Sequence, residues 1–284
     1  MRFVSFERKG QASYGLVRGE GVVDLGGRLG HGVTTIRDAI ATQSLQKIDD
    51  FNFSEQPELT WSDITLLPVI PNPSKILCVG LNFQKHKIET GRSDVAYPTV
   101  FTRFADSQVA HGHPMIKPAC SESFDYEGEM AVIIGKGGRR IAPKVALEHI
   151  AGYSCYNDGS IRDFQRHTSQ FVPGKNFPCT GGFGPFMVTP EEVVDYKSLR
   201  IQTRLNGEVM QEASLSDLIF PLEDIISYCS QFTPLSAGDV IVTGTPGGVG
   251  DRRVPPVYML AGDIVEVEIG CLGVLRNPII NEHV

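Results

Sequence analysis

Short runs in which apolar and polar residues alternate, cut at close intervals by glycine and proline, fill most of this chain and predict strands rather than long helices. Near the start, residues 2–6, 14–18 and 21–25 read as strands between glycine turns, and residues 35–41 read as a helix. The stretch Leu67-Pro68-Val69-Ile70-Pro71-Asn72-Pro73 then carries three prolines, each removing a backbone donor and fixing φ. It predicts a joint between a small N-terminal α+β domain, residues 1–70, and a larger domain, residues 71–284. In the larger part, residues 124–135 and 153–158 read as strands. Thr189-Pro190-Glu191-Glu192 and Pro221-Leu222-Glu223-Asp224 carry helix-start signals, with proline in the first turn and carboxylates on the positive end of the dipole. Ala237-Gly238-Asp239 and Ala261-Gly262-Asp263 are twin turns, each feeding a β-branched strand. Strands and helices do not alternate regularly, so the expected class is α+β, mostly β, and not a doubly wound sheet or a (β/α)₈ barrel.

Composition sharpens this picture. The 284 residues include 30 Gly and 18 Pro, the mark of a turn-rich globular chain. Lys and Arg total 26 against 33 Asp and Glu, a net charge of −7 with no basic block, which argues against nucleic acid or an anionic membrane as partner. No apolar run approaches the roughly 18 residues of a membrane span, and the first residues lack the apolar core of a secretory signal, so a cytoplasmic location is expected. The six cysteines are widely spaced with no Cys-x-x-Cys pair and read as reduced, mostly buried thiols.

Candidate chemistry gathers in a few places. In Asp125-Tyr126-Glu127-Gly128-Glu129 the strand period of two puts Glu127 and Glu129 on one face, directly before a buried apolar run. Alone, such a pair reads as a solvated sheet edge. Next to a core, two adjacent carboxylates call for a cation between them, and oxygen ligands without Cys or His select Mg²⁺ or Mn²⁺ over zinc. Asp158 ends a strand before Gly159 and offers a third carboxylate, with Arg162 and Gln165 four and seven residues on, at helical spacing. His86 and Glu89 stand three apart at a helix start, an arrangement in which the carboxylate orients and activates the imidazole, although surface His-Glu pairs are common. Lys175 lies among glycine and proline, where a solvated loop lysine is the ordinary reading. The run Thr243-Gly244-Thr245-Pro246-Gly247-Gly248 has no nucleotide-loop continuation, but its amides and the Thr245 hydroxyl could hold a carboxylate. His111-Gly112-His113 lacks a third ligand nearby and reads as a polar loop.

Taken in order, Val79-Gly80-Leu81-Asn82-Phe83 with His86 and Glu89, the Asp125 to Glu129 motif, Asn157-Asp158 with Arg162-Asp163-Phe164-Gln165, Gly174-Lys175-Asn176-Phe177, Asn206-Gly207 and Gly238 to Pro246 resemble the fumarylacetoacetate hydrolase family. The likeness is to its small two-lobed members and covers residues 74–280. It implies a curled mixed β-sheet core, a homodimer, and one Mg²⁺ or Mn²⁺ held by Glu127, Glu129 and Asp158. It also implies that His86 with Glu89 activates water, that Lys175 belongs to the catalytic group, and that Arg162, Gln165 and Thr245 bind substrate. Two departures stand out: Asn176-Phe177-Pro178-Cys179 replaces the family's usual Ser-Phe-Asp-Thr, and Gly159 follows the metal-binding Asp in place of Val or Ile, which should loosen that turn.

A 2-oxo acid chelates a divalent ion through its carboxylate and keto oxygens, and the ion's charge stabilises an enolate at C3. With both His86 and Glu89 present, the expected reaction is hydrolysis of the C–C bond of a 2,4-dioxo acid, an acylpyruvate or fumarylpyruvate, in aromatic catabolism. An oxaloacetate-type decarboxylase or a 2-hydroxydienoate isomerase or hydratase on the same scaffold is the alternative, since both reach a related enolate without water attack. A non-enzymatic, metal-stabilised binding module comes third, because three acidic ligands leave an octahedral shell open.

Overall fold

The computed structural model describes residues 1–50, 56–84 and 96–283. A mixed sheet of twelve strands forms the spine. From its N-terminal edge it runs Leu59–Thr60, Gly21–Asp24, Gln11–Arg18, Arg2–Arg8, Gly181–Val188, Ile150–Asp158, Gly128–Ile134, Val240–Val242, Ile76–Gly80 and Thr99–Arg103, with Thr65–Leu66 and Gln108–Ala110 attached at its flank. The two ends do not meet, so the sheet is open. A second sheet of five strands, Glu208–Ser214, Arg200–Leu205, Ile264–Ile269, Gly273–Asn281 and Met115–Lys117, packs against part of the first.

The strand Gly128–Ile134 shows why its sequence is apolar without interruption: both of its faces are covered. Met130, Val132 and Ile134 face a core shared with Ile201, Val267 and Leu275 of the second sheet and with the helix Leu222–Phe232. Ala131 and Ile133 face the opposite core, with Phe3, Tyr14, Ile36, Val240 and Val242. That second core unites residues from both sides of the proline-rich stretch. Arg2 and Phe3 pair with Val188 and Met187, and the Ser5 hydroxyl donates to the Val69 carbonyl at 2.8 Å. Residues 1–70 thus share a sheet and a core with the rest of the chain.

Local expectations meet the structure unevenly. Thr35 caps the helix Ile36–Ala41 through a capping box closed by Asp38. Pro221 is the N-cap of the helix Leu222–Phe232, with Glu223 and Asp224 in its first turn. The signal at Thr189 yields only the single 3₁₀ turn Pro190–Glu192, because the β-branched pair Val193-Val194 follows and Asp195 caps a new turn over Tyr196–Ser198. The strand expected over residues 124–135 is two strands. Phe124–Asp125 pairs with Ser160–Ile161, Gly128–Ile134 pairs with Ile150–Asp158, and the chain changes sheets at Tyr126 and Glu127. All six cysteines are free thiols; Cys78, Cys155 and Cys229 are buried, whereas Cys179 and Cys271 are half-buried and Cys120 is exposed, so burial is less general than expected. Among the described residues, no helix is long and apolar enough to cross a membrane.

Candidate metal centre

The pairing of Gly128–Ile134 with Ile150–Asp158 sets Gly128 opposite Asn157, and the Asp158 amide donates to the Glu127 carbonyl at 2.8 Å. This register, rather than strand periodicity, gathers the acids. Glu127 sits in the sheet change, its amide donating to the Asn157 side chain at 3.0 Å, and its carboxylate is freed from the pleat to meet those of Glu129 and Asp158. One oxygen from each of the three lies within 4.8 Å of the others, and all three residues are buried.

Three cations surround this cluster. Lys175 is 1% exposed, and its Nζ donates to Glu127 Oε2 at 2.7 Å and Asp158 Oδ2 at 2.6 Å. The ordinary expectation of a solvated loop lysine is therefore set aside. Arg103 Nη1 donates to the other Asp158 oxygen at 2.7 Å, and Arg162 Nη1 lies 2.7 Å from Glu127 Oε1. Glu129 differs from its neighbours. Its Oε2 accepts from the Gly244 amide at 2.5 Å, and no cation of the described residues forms an ion pair with it. Burial first, and then the charges of Asp158 and Glu127, push its carboxyl well above the usual carboxylate range. A buried carboxylate flanked by two others, all hard oxygen donors, fits a divalent cation such as Mg²⁺ or Mn²⁺. For Lys175 burial works against the charge, but Asp158 and Glu127 outweigh it and hold the ammonium above the ordinary lysine value.

The segments that carry these groups are fixed by close contacts. A Cβ on Gly174 would lie 2.5 Å from the Gln165 backbone nitrogen, so only glycine lets the helix Val172–Lys175 approach Arg162–Gln165 this closely. Asn176 accepts from the Phe104 amide at 2.6 Å and donates to the Thr102 and Val172 carbonyls at 3.1 and 3.0 Å, which ties the lysine loop to the strand Thr99–Arg103. That is the hydrogen bonding supplied where the family's usual residues are absent. Gly159 does not loosen its turn: a Cβ there would lie 2.2 Å from the Thr180 carbonyl oxygen, while its own carbonyl accepts from Arg103 at 3.0 Å.

Arg162 and Asp158 do not share a helix face, because Asp158 ends a strand and the helix begins only at Arg162. Arg162 instead lies between Asp125, to which its Nε donates at 2.8 Å, and Glu127, and its Nη1 also donates to the side-chain Oε1 of Gln165 at 2.9 Å. Thr245 Oγ1 donates to the Gly128 carbonyl at 2.9 Å and accepts from Gln211 Nε2 at 2.8 Å, so its hydroxyl proton is engaged within the fold. These groups open on a cavity of about 300 Å³ whose floor includes Glu127, Glu129 and Lys175 and whose wall includes Gln165 and Thr245. His86 and Glu89 lie outside the described residues, as does most of the stretch 90–97.

Two residues of weight escaped the sequence. Arg103 is 2% exposed and bonds Asp158, Gly159, Ser107 and Thr180, yet it ends an unremarkable strand 55 positions before Asp158. Asp125 is fully buried and accepts from the amides of Tyr126, Gly250 and Asp251 besides Arg162. Only its place in the acidic motif hinted at a role. Arg103→Leu should lower stability by about 3–5 kcal/mol, since it strands the buried Asp158 oxygen. Denaturant unfolding measures this, and a loss below about 1 kcal/mol would contradict it.

A family model for the fumarylacetoacetate (FAA) hydrolase C-terminal domain matches residues 75–280. The chain is 39% identical over 229 residues to the mitochondrial oxaloacetate tautomerase fahd2 of Xenopus laevis, a match covering 80% of this chain and 72% of that protein. It is 40% identical over 223 residues to the oxaloacetate tautomerase YisK of Bacillus subtilis, covering 77% and 74% respectively. Among solved structures, fumarylacetoacetate hydrolase from the psychrophile Exiguobacterium antarcticum superposes with a TM-score of 0.84 at 32% identity, over 99% of this chain and all of that one.

Proposed function

Because this chain belongs to the fumarylacetoacetate hydrolase family, we propose that it is a divalent-metal-dependent tautomerase of small 2-oxo acids of the oxaloacetate type. The observation that carries this reading is the buried ammonium of Lys175 in the cavity floor, held between Glu127 and Asp158. Tautomerisation exchanges one proton between C3 and the C2 oxygen; no carbon–carbon bond breaks and no water is consumed. The residues best placed in this cavity suit that economy of steps. Lys175 keeps a proton at Nζ, beside the place where the C2 oxygen would rest, and water is excluded by its burial. Gln165 gives its carbonyl oxygen to Arg162 and so turns its amide hydrogens toward a substrate carboxylate. Thr245, pinned by Gln211 and Gly128, forms the wall against which the planar enol lies. Arg162 positions Glu127 and Gln165. The C3 proton needs a base, the part we give to His86 oriented by Glu89.

The metal, Mg²⁺ or Mn²⁺ on Glu127, Glu129 and Asp158, would stabilise negative charge at the C2 oxygen. Charge supports its presence. Among the described residues, Asp125, Glu127, Glu129 and Asp158 are four buried acids against three buried cations, Arg103, Arg162 and Lys175. A divalent ion turns this deficit of one into an excess of one, which a substrate carboxylate matches.

Hydrolysis of a 2,4-dioxo acid, the first expectation from sequence, becomes the second reading. It depends on water activation by His86, while the two sequence relatives reported above, fahd2 and YisK, bear the name of oxaloacetate tautomerase; the solved structure reported beside them bears that of fumarylacetoacetate hydrolase. The test is a panel. Ketonisation of enol-oxaloacetate, followed by its ultraviolet absorbance, is expected to be accelerated with Mg²⁺ or Mn²⁺ and to return to the uncatalysed rate with chelator. If an acylpyruvate or fumarylpyruvate is cleaved with a higher kcat/KM than enol-oxaloacetate is ketonised, the hydrolase reading replaces this one.

A further inference from the structure

The mouth of the same cavity is built differently from its floor. Arg166, Asp251 and Arg252 line it, and the two arginines have side chains 53% and 42% exposed whereas that of Asp251 is 7% exposed. Both guanidinium groups converge on a single oxygen: Arg166 Nη2 is paired with Asp251 Oδ2, and Arg252 Nε lies 3.6 Å from the same atom. The other oxygen, Oδ1, accepts from the Tyr258 hydroxyl at 2.9 Å. One carboxylate cannot neutralise two arginines, and each guanidinium carries five donors. Among the described residues the mouth thus holds an excess positive charge with donors left over, next to the exposed hydroxyl-bearing residues Thr168 and Ser169.

This pair does not float with the surface. The Asp251 and Gly250 amides donate to the two oxygens of Asp125 at 3.0 and 2.8 Å, Asp125 is bound by Arg162, and Arg162 reaches Glu127. A continuous chain of charged groups and amides therefore sets the distance from the metal-facing carboxylates to the arginines. A ligand gripped at the floor by a 2-oxo acid head and carrying a second carboxylate could meet both ends at once. A monocarboxylate of the same head could not.

We infer that Arg166 and Arg252 form a clamp for the second carboxylate of the substrate, so that the site selects 2-oxo dicarboxylic acids over 2-oxo monocarboxylic acids. The identity of the substrate head rests on the tautomerase reading, but the clamp itself is a matter of binding and is tested without turnover. Malate and lactate share a 2-hydroxy acid head that can chelate the ion, and they differ in the distal carboxylate. With Mg²⁺-loaded protein, calorimetric titration should show malate bound more tightly than lactate. Arg166→Ala and Arg252→Ala should each cut that preference by about tenfold, the effect of losing a charge-assisted hydrogen bond, through weaker malate binding. Arg252→Glu should reverse the preference. An unchanged malate-to-lactate ratio in all three variants overturns the clamp, and so does equal weakening of both ligands, which would place the arginines in support of the head site. Failure of the tautomerase reading would show instead in the enol-oxaloacetate assay, with this ratio intact.

Discussion

Glu129→Gln should abolish metal-dependent turnover and weaken Mg²⁺ binding by more than the roughly 100-fold that loss of an outer-shell partner costs. The reason lies in the division of labour among the three acids. Glu127 and Asp158 each have two cations on their oxygens, Arg162 with Lys175 and Arg103 with Lys175, so protein groups already satisfy most of their charge. Among the described residues, Glu129 accepts from a backbone amide and forms no ion pair, so its charge is the one these residues leave to the ion. The amide side chain keeps the size and can still accept from Gly244, so the variant should fold with wild-type stability or better in the absence of metal, because a buried like-charge repulsion has been removed. Calorimetric titration with Mg²⁺ and Mn²⁺ reads the affinity, and thermal melting reads the fold. Binding within threefold of the wild type would place the ion elsewhere.

Lys175→Met should produce the second large effect, to be read in two measurements. Removing the ammonium leaves Glu127 Oε2 and Asp158 Oδ2 facing each other without their shared donor, in a site that is 1% exposed at the lysine. Breaking a buried pair from one side costs about 3–5 kcal/mol, so metal-free protein should unfold at markedly lower denaturant. Mg²⁺ should restore much of that loss, since a cation again stands among the carboxylates and binds only the folded state. Activity should not return with it: proton delivery to the C2 oxygen is worth about 10² to 10⁴ in rate. Full activity in the metal-loaded variant would remove Lys175 from the chemistry, and an unaltered metal-free stability would show that its ion pairs contribute nothing.

The acidic motif and the strands over residues 2–6, 14–18, 21–25 and 153–158 were readable because they are local. Glu127-Gly128-Glu129 before an apolar run announces a buried charge pair, and Asp158 closes a strand whose period is plain. Helix starts were readable for the same reason where a cap and an apolar face agree, as at Thr35 and Pro221. At Thr189 the cap signal was present but the residues after it could not sustain a helix. Arg162 was legible as a site residue and its partners were not. Its spacing from Asp158 suggested a shared helix face, whereas its charge goes to Asp125 and Glu127, 37 and 35 positions earlier in the chain.

By itself, the sequence determined which stretches alternate, where turns must fall, and which carboxylates stand next to a buried run, because these depend on neighbours a few positions away; that Lys175 is buried between Glu127 and Asp158 came from the tertiary structure. Tertiary structure alone decided that Arg103 would hold Asp158 across 55 residues, that the chain would change sheets at Glu127, and that Asp125 would tie the cavity mouth to its floor. It also decided that the first seventy residues would extend the central sheet through Arg2 and Phe3 on Val188 and Met187. The physical reason is register. A buried arginine and its carboxylate find each other only once strand order and pairing have placed them, and no local propensity carries the distance between two strands that meet in space but not in sequence.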